Sequence, residues 1–212
     1  MSGATQNSDV RVFIFVDYWN FVSSLNENEP KFQSDWTKVA PTIMAEVQAL
    51  DTSIPPQRYV YQGMRVVGSF DPDSAAGKKS KNWATTFLSS RVAGCTVHFV
   101  ERQRKKSGPK CPTCHHEVRR CPECDADMRG TEEKGVDTRI ATEMISYAWE
   151  GSYDLAVLVS ADRDFAPVIE FLQAKGKKVI HAGFPPKGAL LRQVSWGNID
   201  LSAKMVQLRK TT

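Results

Sequence analysis

The stretch Asp154-Leu-Ala-Val-Leu-Val-Ser160-Ala-Asp162-Arg-Asp164-Phe165 constrains the fold of this 212-residue chain more than any other. A continuous apolar run, Leu155 to Val159, stops abruptly at a hydroxyl and two carboxylates. So short a run, with no polar alternation, reads as a parallel strand buried on both faces. In open α/β sheets, ligands sit outside the carboxyl ends of such strands. Two acids held together at that edge repel unless a cation or a ligand neutralises them. The segment therefore points to a metal site whose other half lies elsewhere in the chain.

Strands are expected at Val10–Val16, Gln57–Arg65, Thr96–Val100, Leu155–Ser160 and Lys178–Ala182, with a short one at Ile199. Helical spacing is expected over Trp36–Leu50, capped by Ser34 or Asp35, and over Lys79–Val92, Val136–Trp149, Phe165–Ala174 and Ala189–Val194. Gly68–Gly77 is rich in Asp, Gly, Ser and Pro and reads as a loop. No internal repeat is apparent. Strands alternating with helices predict an α/β fold, a three-layer α/β/α sandwich with a mainly parallel central sheet. The polar residues 1–9 are expected to be a flexible N-terminus, 10–205 the main domain, and 105–130 an insertion within it.

The first strand ends in Asp17, with Asn20 three residues on, and the fourth ends near Asp162 and Asp164. In a parallel sheet both ends share one edge, so adjacency of these strands would bring Asp17 and Asp162 together. Asp137 opens a helix after Lys134-Gly-Val and supplies a third acid, or serves as a first-turn residue of that helix. Such an oxygen-rich set suits Mg²⁺ or Mn²⁺, which bind phosphates. The matching chemistry is metal-assisted phosphodiester hydrolysis. Auxiliary candidates are Glu143, about 120° around the helix from Asp137, the strand-end hydroxyl of Ser160, and Lys134 as a phosphate contact. Tyr18 and Trp19 flank the site and either stack on a base or pack on the sheet edge. Lys187 and Arg192 are candidates to line a substrate groove.

These three motifs, Asp17-Tyr-Trp-Asn20, Lys134-Gly-Val-Asp137 and Ser160-Ala-Asp162-Arg-Asp164-Phe165, resemble the NYN family, and more closely its LabA-like (DUF88) branch. The resemblance covers roughly Val10 to Leu201. It implies a PIN-like fold and a metal-dependent ribonuclease. By motif, Asp17, Asp137 and Asp162 match the metal-binding acids, Asn20 the polar residue that orients the site, and Asp164 the second acid of the last motif. Related PIN-like domains often pair, which allows a homodimer, although nothing in the sequence fixes an interface. The competing expectation is a catalytically weak or inactive RNA-binding or regulatory scaffold of the same fold.

Four of the five cysteines crowd into two CxxC pairs, Cys111/Cys114 and Cys121/Cys124. Four thiolates at this spacing suit one structural Zn²⁺ in a zinc-ribbon-like module, with His115 or His116 as substitute ligands. The lone Cys95 reads as a small buried hydrophobe. Net charge is only +4, but Glu101 to Arg120 holds seven Lys/Arg against two Glu. Arg102, Arg104, Lys105, Lys106, Lys110, Arg119 and Arg120 are therefore candidate contacts to the RNA backbone. The polar start and the lack of a long apolar run predict a cytoplasmic protein without a membrane segment.

Overall fold

The computed structural model describes residues 9–211, so residues 1–8 of the expected flexible N-terminus lie outside the described residues. The chain runs β1 (Val10–Asp17), α1 (Tyr18–Asn28), α2 (Val39–Leu50), β2 (Tyr59–Phe70), α3 (Ala75–Trp83), α4 (Ser89–Arg91) and β3 (Cys95–Glu101). It continues through β4 (Gln103–Arg104), β5 (Thr131–Glu132), α5 (Val136–Trp149), β6 (Leu155–Val159), α6 (Ala166–Ala174), β7 (Lys178–Gly183), α7 (Ala189–Val194), β8 (Gly197–Asp200) and α8 (Met205–Leu208). The main sheet has six strands in the order β3-β2-β1-β6-β7-β8, every neighbouring pair parallel. β1 lies directly beside β6, with Val12 opposite Leu155 and Val16 opposite Val159. From β1 the chain winds outward one way, through β2 and β3, and from β6 the other way. The gap between β1 and β6 is thus the topological switch point, where an open sheet leaves a crevice at its carboxyl edge.

Alternation along β1 divides the core. Val12, Ile14 and Val16 face one layer with Phe21 and Leu25 of α1 and Ile43 and Val47 of α2. Phe15 faces the other with Ile140 and Met144 of α5, Ile169 and Leu172 of α6 and Leu191 of α7. All five residues of β6 are buried, as an apolar run covered on both faces requires. The layers form the α/β/α sandwich anticipated from sequence. Cys95 is buried.

Several boundaries differ from expectation. Helix α1 starts at once after β1 and was not anticipated. β2 runs on to Phe70 and α3 begins at Ala75, so the loop expected over Gly68–Gly77 shrinks to the turn between them. Gly68 is a close-approach residue: an added Cβ would meet the Tyr18 Cβ at 2.9 Å. The helix expected over Lys79–Val92 is α3, a π-helical turn at Ala84–Leu88, and α4. A 3₁₀ turn, Trp36–Lys38, capped by Asp35, precedes α2. Trp149, the last residue of α5, is 91% exposed. Packing continues past residue 205, to a Lys210 N–H that donates to the Gln33 carbonyl at 2.9 Å.

β4 and β5 pair antiparallel as a short stem, and above it the Lys105 N–H donates to the Gly130 carbonyl at 3.2 Å. Within this segment one backbone pattern occurs twice. The Cys111 N–H donates to His116 O and the His115 N–H to Cys111 O; ten residues on, Cys121 bonds Ala126 O and Asp125 bonds Cys121 O, all at 2.9 Å. His115 and Asp125 both take positive φ, 59° and 56°. The reading of no internal repeat is therefore corrected: the two CxxC knuckles share one backbone hydrogen-bond pattern although their other side chains differ.

Candidate functional site

Asp17 ends β1 and caps α1: its Oδ1 accepts the Asn20 N–H at 3.2 Å. Asp162 repeats this device after β6, accepting the Asp164 N–H at 2.9 Å at the start of a 3₁₀ turn, Arg163–Phe165. A carboxylate at a strand-to-helix junction satisfies an orphan helix N–H and is fixed by it. Capping after β6 thus falls to Asp162. Asp137 lies in the first turn of α5, whose N-cap Gly135 adopts φ 88°.

Hydrogen bonds stitch the two strand ends together. The Ser160 hydroxyl donates to Asp17 Oδ2 at 3.2 Å and accepts the Asp162 N–H at 3.1 Å. Asn20 Oδ1 accepts the Ala161 N–H at 2.9 Å. The Ser160 carbonyl lies 2.8 Å from His181 Nε2, so that nitrogen carries the hydrogen. Burial pushes the His181 pKa down and keeps the ring neutral.

Asp17, Asp137, Asp162 and Glu133 line one pocket of about 270 Å³. Trp19, Asn20, Ser23 and Ser24, on the first turns of α1, also line it, as does Lys187, which pairs with Glu27. Asp17 is 5% exposed. Burial pushes its pKa up to about 7, opposed by the Asn20 N–H and reinforced by the charges of Asp137 and Glu133. Asp137 rises to about 6, through burial and then the charges of Asp162, Glu133 and Asp164. The pocket thus concentrates negative charge that a cation would relieve. Its donors are carboxylate and amide oxygens, the hard set that Mg²⁺ and Mn²⁺ take. Among the described residues no three His, Cys, Asp or Glu side chains converge closely enough to hold an ion. The acids share a pocket, not a point, and Mg²⁺ keeps several waters in such a setting.

The other candidates fall elsewhere. Asp164 is exposed and touches the site through its charge on Asp137. Glu143 is held by Arg65, at 2.6 and 2.7 Å, and by Arg139 at 2.9 Å, outside the pocket. Lys134 pairs with Glu132 at 2.7 Å. Of the basic residues, Arg102 meets Glu133 at 3.6 Å, Arg104 bridges Asp73 and Asp127 at 2.5 and 3.1 Å, and Arg119 and Arg120 pair with Glu117 and Asp125 at 2.8 Å. Lys105, Lys106 and Lys110 are exposed. The four clustered cysteines form two near pairs and are not gathered into one tetrahedron. In each pair the first thiol is pushed down by N–H donors, from Cys114 and Thr113 at Cys111 and from Glu123 and Cys124 at Cys121.

Glu133, Ser23 and Ser24 were not anticipated. A helical reading of Tyr18–Asn28 would have found the serines, because Ser23 and Ser24 follow Trp19 and Asn20 by one turn. Glu133 had no such signal. It follows the stem, where the inserted segment hides its proximity to Ser69, whose hydroxyl donates to it.

Residues 11–196 match the model of the NYN domain. The crystal structure of a protein of unknown function from Vibrio parahaemolyticus superposes with a TM-score of 0.59 at 16% identity, over 93% of this chain and 96% of that one, and shows the same fold. A structure concerned with Sir2 enzymes aligns at a TM-score of 0.38 and 11% identity, over 95% and 91% of the two chains, too low to carry an argument. No curated protein matches the chain. Among the described residues no helix is long and apolar enough to cross a membrane. On the match over residues 11–196, the chain belongs to the NYN domain family, within the PIN-like nuclease superfamily.

Proposed function

We propose that this protein is a metal-dependent ribonuclease of the LabA-like branch, hydrolysing RNA phosphodiester bonds at the β1/β6 switch point. The observation that carries this reading is the pocket shared by Asp17, Asp137 and Asp162, from three elements, with Asn20 beside them. Those three carboxylates would hold Mg²⁺ or Mn²⁺. When bound, such an ion polarises a phosphoryl oxygen and makes a water acidic enough to attack. The rest falls to the chain. Ser160 and Asn20 fix the two capping turns relative to each other. Glu133 adds a carboxylate to the lining, and Lys187 would turn from its partner Glu27 to meet the RNA backbone. Exposed Lys105, Lys106 and Lys110 draw the polyanion toward the edge.

Cys111, Cys114, Cys121 and Cys124 are proposed to share one Zn²⁺, in a reducing cytoplasm, with the two knuckles closing on the ion. The twofold occurrence of the same CxxC knuckle backbone supports this, since each knuckle presents two thiols.

Cleavage of single-stranded and structured RNA by wild type and Asp162→Asn, with Mn²⁺, Mg²⁺ or EDTA, tests the reading. Metal-dependent cleavage that the substitution abolishes is expected. Equal cleavage by both proteins, or none by wild type with any metal, overturns it.

A further inference from the structure

Strand β7 is apolar through its buried middle with one exception. Among Val179, Ile180 and Ala182 stands His181, 1% exposed. A buried polar ring is costly unless its donor is used. Here the donor is used outside its own strand: Nε2–H meets the Ser160 carbonyl at 2.8 Å. β6 ends at Val159, so that carbonyl lies past the strand pairing and takes its hydrogen bond from a side chain instead.

Two glycines make room for the imidazole. A Cβ added at Gly183 would stand 2.7 Å from His181 Cε1 and Nε2, and one at Gly188 would stand 2.8 Å from the same two atoms. Gly188, at φ 71°, also has a backbone reason to be glycine. Gly183 has no positive φ, so the ring itself is what excludes a side chain there.

The Ser160 carbonyl and the Ala161 N–H belong to one planar peptide unit. His181 donates to its oxygen, and Asn20 Oδ1 accepts from its nitrogen at 2.9 Å. β6 lies between β1 and β7, so the two side chains grip this peptide from opposite neighbours in the sheet. Its orientation governs both flanks. On one side is the Ser160 hydroxyl that reaches Asp17, and on the other is Asp162, whose N–H returns to that hydroxyl. A carbonyl without the His181 donor would rotate toward another, and the Ala161 N–H would swing off Asn20 with it.

We infer that His181 is a positioning residue of the candidate metal site: with Asn20 it clamps the Ser160–Ala161 peptide and so sets Asp162 relative to Asp17. This rests on the reading above that those acids hold a divalent ion. His181 itself does not line the acidic pocket.

The test is calorimetric Mn²⁺ titration of the full chain, with single-turnover RNA cleavage measured in parallel and thermal melts to confirm folding. His181→Leu keeps apolar bulk without a donor, and His181→Gln keeps a side-chain N–H. Expected with His181→Leu is Mn²⁺ affinity lower by about 10- to 100-fold, the usual effect of removing a group that orients a ligand. His181→Gln should restore most of it. Adding Ser160→Ala to His181→Leu should cost no more than about twofold beyond the worse single variant, because both act on one turn. If His181→Leu does not fold, Gly183→Ala decides in its place, since the added methyl crowds the nitrogen that makes the bond. Affinity within twofold of wild type in the deciding variant, equal losses with Leu and Gln, or losses that multiply with Ser160→Ala overturn this inference alone. Wild type that binds Mn²⁺ but cleaves no RNA overturns the ribonuclease reading and leaves this inference to be decided by the affinities. Wild type that does neither overturns both.

Discussion

At Ser160 one hydroxyl donates to Asp17 and accepts from the Asp162 N–H, tying the ends of the two central strands. Ser160→Ala is expected to cost about 10- to 100-fold in metal affinity or cleavage with little loss of fold, the usual effect of removing a group that orients a ligand. A calorimetric Mn²⁺ titration reads this directly. Asp17 makes a second prediction. In the metal-free protein its pKa rises from 3.8 to about 7. A carboxyl raised on folding favours the fold while protonated, so its contribution is full below about pH 4 and is lost as pH rises through 7. Asp137, at about 6, acts in the same sense, while the burial-lowered His98 and His181 act in the opposite one. Comparing Asp17→Asn with wild type in EDTA cancels the histidines. The variant should gain roughly 2–3 kcal/mol over wild type between pH 5 and pH 8, and a pH-independent difference in urea midpoints would contradict this. Asp17, Asn20, Asp137 and Asp162 were legible in the sequence because each stands at an element end. The pairing of Glu143, an auxiliary candidate, with Arg65 was not legible, because Arg65 sits on β2, seventy-eight residues away in sequence.

Among the elements, α5 delivers Asp137 to the pocket, and its start depends on Gly135 at φ 88°. An added Cβ there meets nothing within 4 Å, so the cost of Gly135→Ala is conformational. It is expected to be about 1 kcal/mol, seen as a Tm lower by roughly 2–4 °C. The cysteine segment is too short to bury a core, and a shared Zn²⁺ would be its main source of order. Stripping the metal should speed tryptic cleavage between Lys105 and Arg129 while the sheet stays intact; unchanged cleavage with and without a strong chelator counts against a structural Zn²⁺. Buried strands with apolar runs were readable from sequence, as β1, β6 and β7 show. Helix α1 was not, because the polar residues of its pocket wall interrupt the apolar spacing of Phe21 and Leu25. The end of β2 was not either, because Gly68 looks like a turn until Tyr18 is seen against it.

For the whole molecule, the order β3-β2-β1-β6-β7-β8 decides where chemistry can occur. It opens the sheet between the two strands that end in Asp17 and Asp162. Charge is distributed on the same scale. Arg104, Arg119 and Arg120 are engaged by Asp73, Asp127, Glu117 and Asp125, and Arg104 also links the insert to the loop before α3. Lys105, Lys106 and Lys110 remain as exposed cations. Replacing these three by Ala should weaken RNA binding and lower the log–log salt slope by about 2. Arg119→Ala should change the slope far less, and equal effects would show that the internal ion pairs open on binding. The central claim is that carboxylates from β1, α5 and the turn after β6 act as one site on RNA. Single-turnover cleavage of a single-stranded RNA in Mn²⁺, by wild type, Asp17→Asn, Asp137→Asn and Asp162→Asn, measures it most directly. Each substitution is predicted to slow cleavage by at least about 100-fold, and a wild-type rate in any one of them would contradict the site.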